Sequence, residues 1–89
     1  MKTPLEQVID ICGSQTALAD RVTELDASKK ITQSTVGAWI NRFNHRVGDG
    51  YVLVVSQAGD WIVTPHELRP DLYPHPEDGL PAELRKQVA

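Results

Sequence analysis

Along the first half of the chain apolar residues recur at intervals of three and four, the period of an α-helix with one buried face. Leu5, Val8, Ile9 and Cys12 fall at i, i+3, i+4 and i+7, with Thr3-Pro4 before them and Gly13 after. A threonine hydroxyl caps free amides, proline suits the first helical turn, and glycine closes the last, so this stretch is read as a first helix. Ser14 caps a second helix to about Leu25, with Leu18, Val22 and Leu25 as its apolar stripe and Gln15, Asp20 and Arg21 on the polar side. Thr32 caps a third, Gln33 to Arg42, where Val36, Trp39, Ile40 and Phe43 repeat the stripe. Ser34, Gly37, Ala38 and Asn41 face the other way. Between the second and third helices, Asp26 to Ile31 has no clear period and reads as a connector or a frayed helix end.

The second half is less regular. Tyr51 to Ala58 has the valines of a strand, with Ala58-Gly59-Asp60 able to turn a hairpin into Trp61-Ile62-Val63. Tyr51, Val54, Val55 and Ala58 also fit one helical stripe, with Asp49 as cap and Gly59 as stop. Thr64-Pro65-His66-Glu67 is a capping box that predicts a short helix from Pro65 to Arg69, stopped by Pro70. From Pro74 the proline-rich sequence predicts a flexible tail, in which Pro81 to Val88 has the makings of a short helix unable to stand alone. The expected organisation is one helical domain over residues 1–73 and an acidic tail over 74–89.

The chain has 89 residues, so one modest core is the most it builds; a domain of this size buries only about 60% of its unfolded surface or slightly more. Its longest apolar run, Tyr51 to Val55, is far short of the roughly 20 residues that span a bilayer, and no signal segment opens the chain, so a cytoplasmic location is expected. With Cys12 as the single cysteine there is no internal disulfide and no thiolate cluster for zinc, and Cys12 reads as a buried helix residue. His45, His66 and His75 are scattered, so no metal or other cofactor is expected. No nucleophile with an identifiable base appears either, and the reading is not that of an enzyme.

A net charge of −3 looks unsuited to nucleic acid, whose phosphates demand cations. The distribution reverses that impression. From Ala27 to Val47 the charged residues are Lys29, Lys30, Arg42 and Arg46, with no carboxylate, whereas from Gly48 onward three basic residues face seven acidic ones. One face can be cationic while the whole is anionic.

Two short helices in succession, the second apolar on one side and small and polar on the other, are what a helix-turn-helix requires. The stripe packs the third helix onto the domain, and its outer face fits the major groove. Gly37 is costly inside a helix, and close approach to DNA is a reason to accept it. In this docking geometry Gln33, Ser34, Thr35 and Ala38 are the candidates for reading base edges. Gln15, Lys29, Lys30, Asn41, Arg42 and Arg46 are the candidates for phosphates, Gln15 because it opens a helix whose N-terminus attracts anions.

Gln15-Thr16-Ala17-Leu18-Ala19-Asp20-Arg21 and Gln33-Ser34-Thr35-Val36-Gly37-Ala38-Trp39-Ile40-Asn41 resemble the second and third helices of the lambda-repressor and Cro helix-turn-helix family. The resemblance implies that Gln33 and Ser34 read bases, that Gln15 binds a phosphate and braces Gln33, and that Asn41 holds another phosphate. Val63-Thr64-Pro65-His66-Glu67-Leu68-Arg69-Pro70-Asp71-Leu72-Tyr73 is similar to the end of YdaS-like antitoxins and Cro-like prophage regulators. Together these cover Leu5 to Tyr73 and imply an all-α, five-helix lambda-repressor-like domain in which Tyr51 to Ala58 is helical. They assign no chemistry to His66 or Arg69, which read as helix-end and tail-packing residues. One departure is plain: Asp26 to Thr32 puts seven residues between the helices, where the motif uses about three or four.

The function expected is sequence-specific binding of double-stranded DNA by a homodimer acting as a repressor. The rival class is an antitoxin or interaction module, whose acidic tail would bind a toxin or another basic protein.

Overall fold

In the computed structural model, which describes residues 2–84, the chain forms five α-helices: α1 (Pro4–Cys12), α2 (Gln15–Leu25), α3 (Gln33–Asn41), α4 (Val52–Ala58) and α5 (Pro65–Leu68). Three single 3-10 turns, at Ala27–Lys29, Asp49–Tyr51 and Ala82–Leu84, complete the regular structure among the described residues. No β-strand occurs among them, so Tyr51 to Ala58 is a 3-10 turn running into a helix rather than half of a hairpin.

The helix ends follow the chemistry of their residues. At α1 the Thr3 hydroxyl accepts from the Glu6 amide while the Glu6 carboxylate accepts from the Thr3 amide, closing a capping box. The bonds that the Glu6 carboxylate accepts from the Thr3 amide and from the Thr3 hydroxyl hold it below its ordinary pKa. Gly13 ends α1 at φ 113°, a conformation that suits glycine. Ser14 caps α2 through the Ala17 amide, and Thr64 caps α5 in a second capping box with Glu67. Thr32 stands at the cap position of α3 but makes no side-chain capping bond.

Helix α2 lies at the centre of the arrangement, packed against α1, α3 and α4. The core gathers Leu5 and Val8 of α1, Leu18, Ala19 and Val22 of α2, Val36 and Trp39 of α3, and Val52, Val55 and Ala58 of α4. Val47, Val63 and Leu68 close it from the loops and α5. Two members of the expected stripes do not join. Phe43 is 57% exposed because α3 stops at Asn41 and the chain turns away through left-handed Asn44 and His45. Leu25 is 42% exposed at the last position of α2.

The connector between α2 and α3 is built rather than frayed. Asp26 caps the 3-10 turn Ala27–Lys29 by accepting from the Ser28 amide. Ile31 then turns into the core, 7% exposed, and its amide donates to the Thr23 hydroxyl at 3.3 Å. The extra residues therefore add one turn and a core anchor, leaving α3 packed on α2.

Arg69, just past α5, is 6% exposed and ties its own segment to the loop before α4. Its guanidinium grips both oxygens of Asp71 at 2.9 and 2.7 Å, and it donates to the Val47 carbonyl at 2.8 Å and to Asp49 at 2.6 Å. The fork shape of arginine suits this bidentate pairing. Nearby, His66 Nδ1 lies 2.7 Å from the Tyr73 carbonyl; a carbonyl only accepts, so Nδ1 carries the proton. Farther on, Gly79 sits at φ 81°, where a Cβ would meet Leu53 Cδ2 at 2.8 Å and Pro65 Cγ at 3.0 Å, so this part of the tail lies against α4 and α5. The expected Pro81–Val88 helix is represented by the turn Ala82–Leu84, and residues 85–89 lie outside the described range.

Replacing Arg69 by methionine leaves the buried Val47 carbonyl without its donor, at an expected cost of about 1–3 kcal/mol; urea unfolding should show a lower midpoint at unchanged slope. Asp71 sets the pH dependence. Its partner Arg69 holds the carboxyl at about 2, below the ordinary 3.8. A depressed carboxyl stabilises the fold fully above its unfolded pKa and loses that contribution as pH falls through the folded value. The stability difference between wild type and Asp71→Asn should hold steady from pH 7 to about 5, then shrink toward pH 2. A difference that stays constant across that range would remove the pair from the account.

Candidate nucleic-acid interface

The outer side of α3 is determined by what its inner side must do. Val36 is fully buried and Trp39 is 5% exposed, which fixes the rotation of the helix and turns Ser34, Gly37, Ala38, Asn41 and Arg42 outward. These five residues line one shallow concavity on the surface. Gln33, Ser34, Asn41 and Arg42 are exposed, while Gly37 and Ala38 are half-exposed and add almost no bulk. A surface with a low floor of small residues and polar groups at either end can accept the edge of another molecule closely.

At its N-terminal end, Gln33 Nε2 donates to Gln15 Oε1 at 2.6 Å. The bracing that the family resemblance implies is therefore formed, and the longer connector does not prevent it. Gly37 lies beneath the pair: a Cβ there would stand 3.5 Å from both Gln15 Oε1 and Gln33 Nε2. The bond uses one donor of Gln33 and leaves its other amide hydrogen and carbonyl oxygen free to pair. Held at one end, the side chain has lost much of the rotamer freedom that a contact would otherwise have to freeze.

Of the remaining residues anticipated here, Thr35 is half-buried at the edge of the helix. Lys30 is exposed at the near end, beside a second concavity lined by Asp20, Glu24, Thr32 and Gln33. The carboxylates of Asp20 and Glu24 share that concavity with Lys30 and offset part of its charge. At the far end of α3, Arg42 and Arg46 are exposed. Arg46 belongs to a different concavity, shared with Phe43, Trp39 and Val47. Lys29 is set apart from both, its Nζ 5.4 Å from the centroid of the Tyr51 ring. The structure thus unites Gln15, Gln33, Ser34, Ala38, Asn41 and Arg42 on one side and puts Lys29 and Arg46 elsewhere.

Sequence reasoning passed over Phe43 as a surface residue and Arg69 as an organising one. For Phe43 the spacing gave no warning; α3 ends at Asn41, and a helix ending there does not carry residue 43 inward. For Arg69 the only local signal is Asp71 two residues on; Val47 and Asp49 are brought to it by the fold.

No cluster of three or more histidine, cysteine, aspartate or glutamate side chains suited to a metal ion occurs among the described residues. No described helix is long and apolar enough to cross a membrane. Cys12 is half-buried, its Sγ donating to the Ala58 carbonyl at 3.5 Å, and burial raises its thiol pKa, which makes it a poor nucleophile.

Against known proteins, no curated protein matches the chain and no solved structure does. A family model does, over residues 5–77, that of the family described as bacterial toxin YdaS. That span takes in α1 from Leu5, the other four helices, the glutamine pair and the Arg69 hub, and the chain belongs to the bacterial toxin YdaS family.

Proposed function

We propose that the protein binds duplex DNA in a sequence-dependent way, with α3 in the major groove, and acts as a transcriptional repressor by occupying an operator. The observation that carries this reading is the Gln33–Gln15 hydrogen bond at 2.6 Å on an exposed, sterically low helix face. A glutamine offering one amide donor and one acceptor edge matches adenine, and Ser34 beside it can reach several base edges. Thr35 and Ala38 border the same contact, Ala38 with a methyl suited to the thymine methyl. Gln15, Lys30, Asn41, Arg42 and Arg46 supply the phosphate contacts, Gln15 from the N-terminus of α2.

One helix offers too few base contacts to choose a site in a genome, at about 1–3 kcal/mol for each good pair. Two copies on successive major grooves, about 34 Å apart, answer that shortage, so the operator is expected to be a near-palindrome and the binding species a homodimer.

The family's description as a toxin favours a second reading, in which the chain acts in a toxin–antitoxin pair through a protein partner. The acidic stretch after Gly48 is the surface it would use. Titration against random duplex DNA at increasing salt separates the two, because a phosphate binder weakens steeply while a protein adaptor has no such binding to lose.

Selection from a random duplex pool should yield a preferred site. On it, Gln33→Ala should cost about 1–3 kcal/mol and relax the preference at one position, while Arg42→Ala should weaken binding to all sequences and lower the salt slope by about one unit. Equal losses on every sequence for both variants would refute this division of labour. Gly37→Ala should act in opposite directions. Its methyl meets only ordinary contacts, so stability should rise by about 0.5–1 kcal/mol, while duplex affinity falls because the floor of the groove is raised. A rise in both would show that Gly37 is not there for close approach.

A further inference from the structure

The two lysines of the connector stand in different surroundings. Lys30 is exposed, whereas Lys29 is half-buried and its Nζ lies over the Tyr51 ring, 5.4 Å from the centroid. An ammonium over an aromatic face is attracted by the ring quadrupole. Gly50 lies beside it, where a Cβ would meet Lys29 Nζ at 3.8 Å, an ordinary contact distance.

Tyr51 is in turn stacked at a tilt against Trp39, with centroids 5.6 Å apart and planes at 51°. Both rings rest on Gly48, where a Cβ would stand 3.2 Å from Tyr51 Cδ2 and 3.3 Å from Trp39 Nε1, too close for comfort. Trp39 projects from the inner side of α3, opposite Ser34, Ala38 and Asn41. A continuous contact therefore runs from the connector, through Tyr51, to the underside of α3. A connector longer than the usual turn is the place where a helix-turn-helix would lose its fixed geometry. Lys29 lies at the end of the inserted 3-10 turn, where one contact restrains it most.

We propose that Lys29 is a positioning residue: it clamps the inserted turn onto Tyr51 and, through Tyr51 and Trp39, fixes the angle at which α3 presents Gln33 and Ser34. It does so instead of binding a phosphate. The role rests on the DNA-reading assignment of α3, but the clamp itself is a property of the free protein.

Two measurements test it. In proton NMR of the free protein, the Lys29 ε-methylene resonances should be shifted upfield by the Tyr51 ring current and return to ordinary values in Tyr51→Leu. In duplex titrations, Lys30→Met should lower the salt slope by about one unit, whereas Lys29→Met should leave the slope unchanged. Lys29→Met should instead reduce the ratio of selected-site to random-duplex affinity by about 2- to 5-fold, the worth of one partly exposed cation–π contact. Lys29→Arg, which keeps a cation able to lie on the ring, should restore the ratio. If Lys29→Met flattens the slope as Lys30→Met does, or if the ε-methylene shifts are ordinary in the wild type, the clamp is overturned while the DNA-reading role stands. If the wild type binds no duplex at all, the reading role falls and the positioning role with it.

Discussion

Burial of Val36 and Trp39 against α2 is the constraint on which the site depends. A nine-residue helix is too short to hold its shape in water unaided, so α3 exists because one side is packed, and the packing decides which side is left over. With those two residues inside, Ser34, Gly37, Ala38, Asn41 and Arg42 can only lie outside. Ile31 strengthens the constraint from the preceding segment, since its burial anchors the chain just before α3 begins. The glutamine pair then links the outer ends of α2 and α3, so the two helices are fixed to each other from the core side and from the surface side.

Much of this is legible in the sequence because helical periodicity and capping are local. The spacing of Leu5, Val8 and Cys12, the capping boxes at Thr3 and Thr64 and the stop at Gly13 act within four residues, and each appears where its pattern puts it. Phe43 shows where periodicity alone misleads. It continues the stripe of α3 in register, yet the helix ends two residues before it, and a stripe has no meaning once the backbone leaves the helix. Ile31 is the opposite case, a lone apolar residue between Lys30 and Thr32 with no period to betray it, buried because a tertiary wall happens to face it.

At Tyr51 to Ala58 the stripe and the family resemblance favour a helix against the strand propensity of valine, a margin that packing overrides. What settles the choice physically is the number of sides that need covering. Val52, Val54, Val55, Ser56 and Ala58 are all buried, which a segment surrounded by α1, α2, α5 and the loop to Val63 can satisfy as a helix whose backbone bonds are internal. Ser56 tolerates that burial because its hydroxyl donates to the Val63 carbonyl at 2.6 Å. A strand there would need a partner edge, and the described chain offers none.

Arg69 bears on the charge problem as well as on the fold. A chain of net charge −3 meets a polyanion only if its carboxylates are kept from cancelling the field of Lys30, Arg42 and Arg46. Asp49 and Asp71 stand beside the far end of that basic stretch: Asp49 follows Arg46 by three residues, and Asp71 feels the charge of Arg46. Both carboxylates are held by the Arg69 guanidinium, so that two negative charges act as one at the edge of the basic surface. Farther along, Gly79, next to Glu77 and Asp78, is tucked against Leu53 and Pro65, on α4 and α5 rather than α3. At physiological ionic strength exposed charges are screened over about 8 Å, so acids placed on α4 and α5 weigh less on α3 than their number suggests. The arginine that ties Val47, Asp49 and Asp71 together for stability thus also offsets one of the two negative charges beside Arg46, at the far end of α3.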